Sequence, residues 1–121
     1  MKVLFLGDVV GRSGRATLKD NLKKIQEDHQ INFTIVNGEN AAGGFGITEN
    51  ICKEFYSYGV DVITTGNHLW DQKEINGYIE KDEKLLKPYN FAEGTPGLGF
   101  NKYVSNDGKD IAVINIMGNL F

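Results

Sequence analysis

Three times in succession the chain passes from a short apolar run, through a polar exit containing glycine, into a stretch with helical periodicity. Val3 to Leu6 is the first run, closed by Gly7-Asp8, and so short an unbroken apolar stretch reads as a strand buried on both faces. After Gly11, Leu18, Leu22 and Ile25 recur at helical spacing while Lys19, Asp20, Lys23, Lys24, Glu27 and Asp28 take the wet side, which predicts an amphipathic surface helix. Phe33 to Val36 repeats the strand signal and opens into the glycine-rich stretch Asn37 to Gly46. Thr48, with Glu49 behind it, caps a second helix that turns Ile51, Phe55 and Tyr58 inward, and Gly59 stops it. Val60 to Thr65 is the third strand, Gly66-Asn67-His68 its exit, and Asp71 to Glu74 reads as an acidic capping box opening a third helix. Such alternation dictates mainly parallel strands joined by right-handed βαβ crossovers under a cover of helices, so the fold class is α/β.

Beyond Pro88 the pattern changes. Gly94, Pro96, Gly97 and Gly99 mark a loop before two β-like runs, Tyr103 to Ser105 and Ile111 to Ile116, and Asn106-Asp107-Gly108 between them is a hairpin turn signal. Ile111 to Ile116 has the look of a central strand, which would need cover on both faces. A chain of 121 residues supports one hydrophobic core, so residues 1–121 are expected to form a single domain. The net charge of -3 comes from basic residues scattered among acids, and without a basic stripe a long nucleic acid is excluded as the main partner. A small anionic substrate remains open. The apolar run Val3 to Leu6 is too short for a membrane span or a signal-peptide core, and the single Cys52 forms no internal disulfide, so a cytoplasmic setting is the expectation.

In an open α/β sheet, ligands bind at the carboxyl ends of the strands. The three exits are Gly7-Asp8-Val9-Val10-Gly11, Asn37-Gly38-Glu39-Asn40 and Gly66-Asn67-His68-Leu69-Trp70-Asp71. They bring Asp8, Glu39, Asn40, Asn67 and His68 to one rim, a carboxylate, amide and imidazole set suited to manganese, iron or zinc. Paired ions there would activate water and offset charge on a phosphoryl group. Each residue also has a plainer explanation: Asp8 as a helix cap or turn former, Asn40 and Asn67 as turn residues, Glu39 as a solvated loop residue, His68 as a satisfied loop residue. The combination favours a metal and phosphate site, with His68 placed for general acid work. Gly11-Arg12-Ser13-Gly14-Arg15 offers a weaker, competing phosphate cradle whose spacing fits neither known phosphate-loop pattern. Cys52 reads as a core residue, His29 as solvated, and Trp70 and Phe45 as core aromatics in preference to base-stacking ones.

The three exit motifs, in this order, resemble the YmdB-type branch of the calcineurin-like metallophosphoesterases, and the similarity runs along essentially the whole chain. Many calcineurin-like enzymes carry a His two residues after the first Asp, whereas Val10 stands there in this sequence, which narrows the resemblance to that branch. The resemblance implies half of a four-layer α/β sandwich and a pair of transition metal ions, iron or manganese, acting on small 2′,3′-cyclic nucleotides. It implies that Asp8, Glu39 and Asn40 bind one ion, Glu39 and Asn67 the other, and that His68 donates a proton.

The family completes its site with three further histidines from a C-terminal half, and here the histidines are His29 and His68. The expectation is therefore a half-built metal site on a truncated product, fragment or domain. Two further expectations accompany it: a module that binds nucleotide or phosphate through Arg12 and Arg15 without turnover, and a homo-oligomer formed over the apolar sheet surface that a missing half leaves open.

Overall fold

The computed structural model describes residues 1–119, so the last two residues of the expected domain lie outside it. The apolar runs become parallel strands: β1 (Val3–Leu6), β2 (Phe33–Asn37), β3 (Val62–Thr64) and a two-residue β4 (Leu85–Leu86), side by side in that order. Register pairs Val3 with Phe33, Ile35 with Val62 and Ile63 with Leu85. Helix α1 (Gly11–His29) joins β1 to β2, and α2 (Glu49–Ser57) joins β2 to β3. Thr48 caps α2 as expected, its hydroxyl accepting from the Ile51 N–H at 3.3 Å.

Side chains alternate across the sheet and build two cores. Val36, Ile63 and Leu85 face the helices and pack with Leu18, Leu22 and Phe55. Phe33, Val62 and Leu86 face the other way and meet Val113 of a separate antiparallel hairpin, β5 (Phe100–Val104) and β6 (Asp110–Ile114). The result is a helix layer, a parallel sheet and a hairpin layer. The hairpin turns at Asn106-Asp107-Gly108, where Gly108 has φ 78° and its N–H donates to the Ser105 carbonyl at 2.9 Å.

Two expectations need correction. Ile111 to Ile116 is not a central strand: β6 ends at Ile114 and among the described residues pairs only with β5, so alternate residues point outward and Ile114 and Ile116 are 52% and 65% exposed. Asp71 to Glu74 opens no long helix. A 3-10 turn (Leu69–Asp71) precedes the four-residue α3 (Ile75–Tyr78), and no side chain caps either, because the Asp71 carboxylate is engaged elsewhere. Among the described residues no helix is long and apolar enough to cross a membrane.

Candidate functional site

Because β1, β2 and β3 are adjacent and parallel, their carboxyl ends share one edge, and all five candidate residues lie on the loops leaving it. Four of them form two touching pairs, Asp8 with Asn40 and Glu39 with His68, and Asn67 stands beside the second. Asn40 Nδ2 donates to Asp8 Oδ2 at 2.8 Å, which ties the first exit loop to the second and leaves the Asn40 amide oxygen as its ligand atom. Asp8 caps no helix: the residue before α1 is Val10, and no side chain bonds there.

The second group centres on Glu39. Its Oε2 accepts from the His68 backbone N–H at 3.2 Å, and its Oε1 lies 3.5 Å from Asn37 Nδ2. The carboxylate sits against Gly66 so closely that a Cβ there would come within 2.6 Å of both oxygens. Glu39 is thus held in a cradle that only glycine leaves open. Beside it the Asn37 side-chain oxygen is buried and has no hydrogen-bond partner among the described residues. Asn37, Glu39, Gly66 and Asn67 border a cavity of about 750 Å³ between the parallel sheet and β6.

The His68 ring is engaged apart from its backbone. Its Nδ1 meets Asp71 Oδ2 at 2.6 Å, a pairing made by the 3-10 turn, in which residues three apart eclipse one another. That occupies one ring nitrogen and orients the other, Nε2. Phe45 stands against the imidazole edge to face, with centroids 5.9 Å apart.

The remaining candidates separate. Arg15 Nη1 donates to the Ala41 carbonyl at 2.5 Å, so this guanidinium braces the second exit loop, while Arg12 stays exposed. His29 ends α1 at the opposite edge, its carbonyl accepting from Lys2 Nζ at 3.0 Å. Trp70 packs on the core beside Phe91, as expected of it. Cys52 is fully buried, and burial together with the Asp82 charge pushes its thiol up, away from any nucleophilic role. Two site residues escaped the sequence reading. Asp71 ends the third exit and reads as a helix opener, and its place three residues after His68 is the signal for its real role; Asn37 opens the second exit without a role of its own in the sequence pattern.

The donor chemistry fits hard divalent ions. Asp8, Glu39, Asn40 and Asn67 can all offer oxygen, the class that suits manganese and magnesium, and Asn37, whose side-chain oxygen has no partner among the described residues, borders the same cavity as Glu39 and Asn67. Among the described residues no three His, Cys, Asp or Glu side chains converge, so the set rests on two carboxylates completed by amides.

The chain is 49% identical over 121 residues to the 2′,3′-cyclic-nucleotide 2′-phosphodiesterase of Bacillus subtilis (strain 168), covering 100% of itself and 46% of that protein. It thus spans about half the length of this relative. Its fold matches the crystal structure of a hypothetical protein from Thermus thermophilus at TM-score 0.89 and 35% identity, over 98% of this chain and 45% of that one. A phosphatase from Mycoplasma pneumoniae matches at TM-score 0.89 and 33% identity, over 98% of this chain and 43% of the other. The α/β fold is therefore that of the N-terminal half of such proteins. With the family model for YmdB-like proteins matching residues 4–121, the chain belongs to the YmdB-like family.

Proposed function

We propose that this chain supplies half of the site of a metal-dependent phosphodiesterase that hydrolyses small cyclic nucleotides in the cytoplasm. The observation that carries the reading is the Glu39 carboxylate fixed between the His68 N–H and the Gly66 cradle, beside an Asn37 oxygen that has no partner among the described residues. Two transition metal ions, manganese or iron, are the implied cofactors. Asp8, Glu39 and Asn40 would hold one ion, Glu39 and Asn67 the other, and the longer family members would supply the remaining ligands. Bound ions of this kind make water nucleophilic near neutral pH and offset the charge building on phosphorus. The chain's own part is to position and to protonate. Asp71 holds His68 Nδ1, leaving Nε2 to carry the proton given to the leaving ribose oxygen as its bond to phosphorus breaks. The alternative, a binding module built on Arg12 and Arg15, is weakened by the bond that commits Arg15 to Ala41.

Calorimetric titration with manganese tests the reading. Uptake by the unaltered chain is expected, and Glu39→Ala should weaken it by roughly tenfold or more, since a central ligand and its supports go together. A Glu39→Ala chain that takes up manganese as well as the parent does would sink the proposal.

Self-association is a second reading, favoured by apolar surface that neither layer covers. Phe5 is 60% exposed on the β1 face that the hairpin leaves bare, Ile114 and Val104 stand outward on the hairpin, and Ile116 just beyond it is exposed too. A homodimer or larger assembly is expected in sedimentation velocity at micromolar concentration. A single monomeric boundary there removes it.

A further inference from the structure

Phe45 is not the core aromatic that its type suggests. It is 61% exposed, so the burial that normally rewards a phenylalanine is left unmade. Nor does it hang on a loose loop. The Phe45 N–H donates to the Ala42 carbonyl at 3.1 Å, Ala42 N–H to the Gly46 carbonyl at 2.9 Å, and Gln72 Nε2 to the Phe45 carbonyl at 2.8 Å. Gly46, with φ 76°, lies against the His68 carbonyl and Gln72 so tightly that an added Cβ would come within 3.1 Å of both. The backbone therefore presents an apolar ring to solvent in a fixed place, beside the candidate general acid.

That place has a chemical meaning under the proposed function, and the inference rests on that reading. A general acid protonates the leaving oxygen. In a cyclic nucleotide that oxygen belongs to the ribose, which stays attached to phosphorus through its second ester bond when the ring opens, so under this reading the nucleoside lies on the His68 side of the phosphorus. Phe45 is the exposed aromatic that touches His68. Every base has a π face, and stacking on an aromatic side chain is strong and tolerant of base identity.

We infer that Phe45 is a stacking platform for the base carried on the side of the leaving oxygen, a specificity residue selecting phosphodiesters that bear a flat aromatic system there, nucleobases above all. It follows that the site accepts different bases with little discrimination and also accepts aryl phosphodiesters, which offer the same flat face next to the scissile bond.

The test is calorimetry on the chain with manganese present, using adenosine 3′-monophosphate and inorganic phosphate as the two probes. Phe45→Ala should weaken the nucleotide by roughly tenfold to a hundredfold and leave inorganic phosphate unchanged, while Phe45→Trp keeps the nucleotide. Equal nucleotide affinity in Phe45→Ala overturns the inference and leaves the metal reading standing. Equal weakening of both probes also overturns it, since the ring is then a prop for His68 and its loop. An unaltered chain that binds neither probe overturns the inference together with the function beneath it.

Discussion

Alanine at Gly66 is expected to lower manganese affinity by roughly tenfold to a hundredfold while the thermal midpoint of the chain moves little. The reason lies in what the new methyl group meets. It would come within 2.6 Å of both Glu39 oxygens and 2.8 Å of the carboxylate carbon, and no other atom is so close. Gly66 does not need a left-handed backbone, so alanine fits its conformation. The atoms in the way are the far end of a flexible side chain, which can swing aside without disturbing the core. Swinging aside breaks the 3.2 Å bond from the His68 N–H and carries the central carboxylate away from Asn37. Gly38→Ala is the informative contrast. There the methyl group would meet Ile47 Cδ1 at 2.9 Å and Ile63 Cγ2 at 3.0 Å, both fully buried, so that substitution overpacks the core at about 1–3 kcal/mol. Manganese titration and thermal melts on the two variants should therefore move in opposite proportion. A Gly66→Ala chain with the parent's manganese affinity shows that the placement of Glu39 does not matter to metal, and the proposed site fails with it.

That contrast marks where sequence reading succeeds and where it stops. The strands at Val3–Leu6 and Phe33–Asn37 were legible because short apolar runs closed by polar exits have few other folded solutions. The shared rim followed from topology alone, since adjacent parallel strands put their exits at one edge. The hairpin misled because Ile111-Ala112-Val113-Ile114 is apolar at every position: a doubly buried strand and a strand with one bare apolar face read alike. The strand Leu85–Leu86 is too short to carry any period. Within the site, glycine beside each candidate ligand was visible, but not that the Glu39 carboxylate itself fills the space at Gly66. The Asp71–His68 pair depended on a 3-10 turn where an α-helical start was expected, and the exposure of Phe45 depended on how its loop is clasped to Gln72. Local pattern fixes elements; contacts between loops from different exits are decided only in three dimensions.

The second large effect is expected at Asn115, which fastens the hairpin to the parallel sheet just behind the site. The residue is 8% exposed, and its Nδ2 donates to the Thr65 carbonyl at 2.8 Å and the Leu86 carbonyl at 3.0 Å. Its backbone N–H donates to the Gly99 carbonyl at 2.9 Å. Asn115→Ala leaves the Thr65 carbonyl without that partner, while Leu86 still accepts from Thr65 Oγ1 at 2.7 Å, so a loss of about 1–3 kcal/mol is expected. Asn115→Asp is worse, because an ionised carboxylate has nothing to donate and faces two carbonyl oxygens. An uncompensated buried charge costs about 3–5 kcal/mol, a large share of the roughly 5–15 kcal/mol that holds a domain together. The pH dependence follows from the proton. Burial raises the pKa of such an aspartate in the folded state, and its protonated form can donate to one carbonyl again. Stability is then fullest below the unfolded pKa of about 4 and falls as pH rises through the raised folded value. Denaturant melts should show Asn115→Asp losing stability from acid toward neutral pH relative to the parent, with Asn115→Ala offset by a nearly constant amount. Because Thr65 leads directly into Gly66-Asn67-His68, both variants should also loosen that exit and weaken manganese binding. An Asn115→Asp chain as stable as the parent at neutral pH would mean that the hairpin is not fastened through this amide.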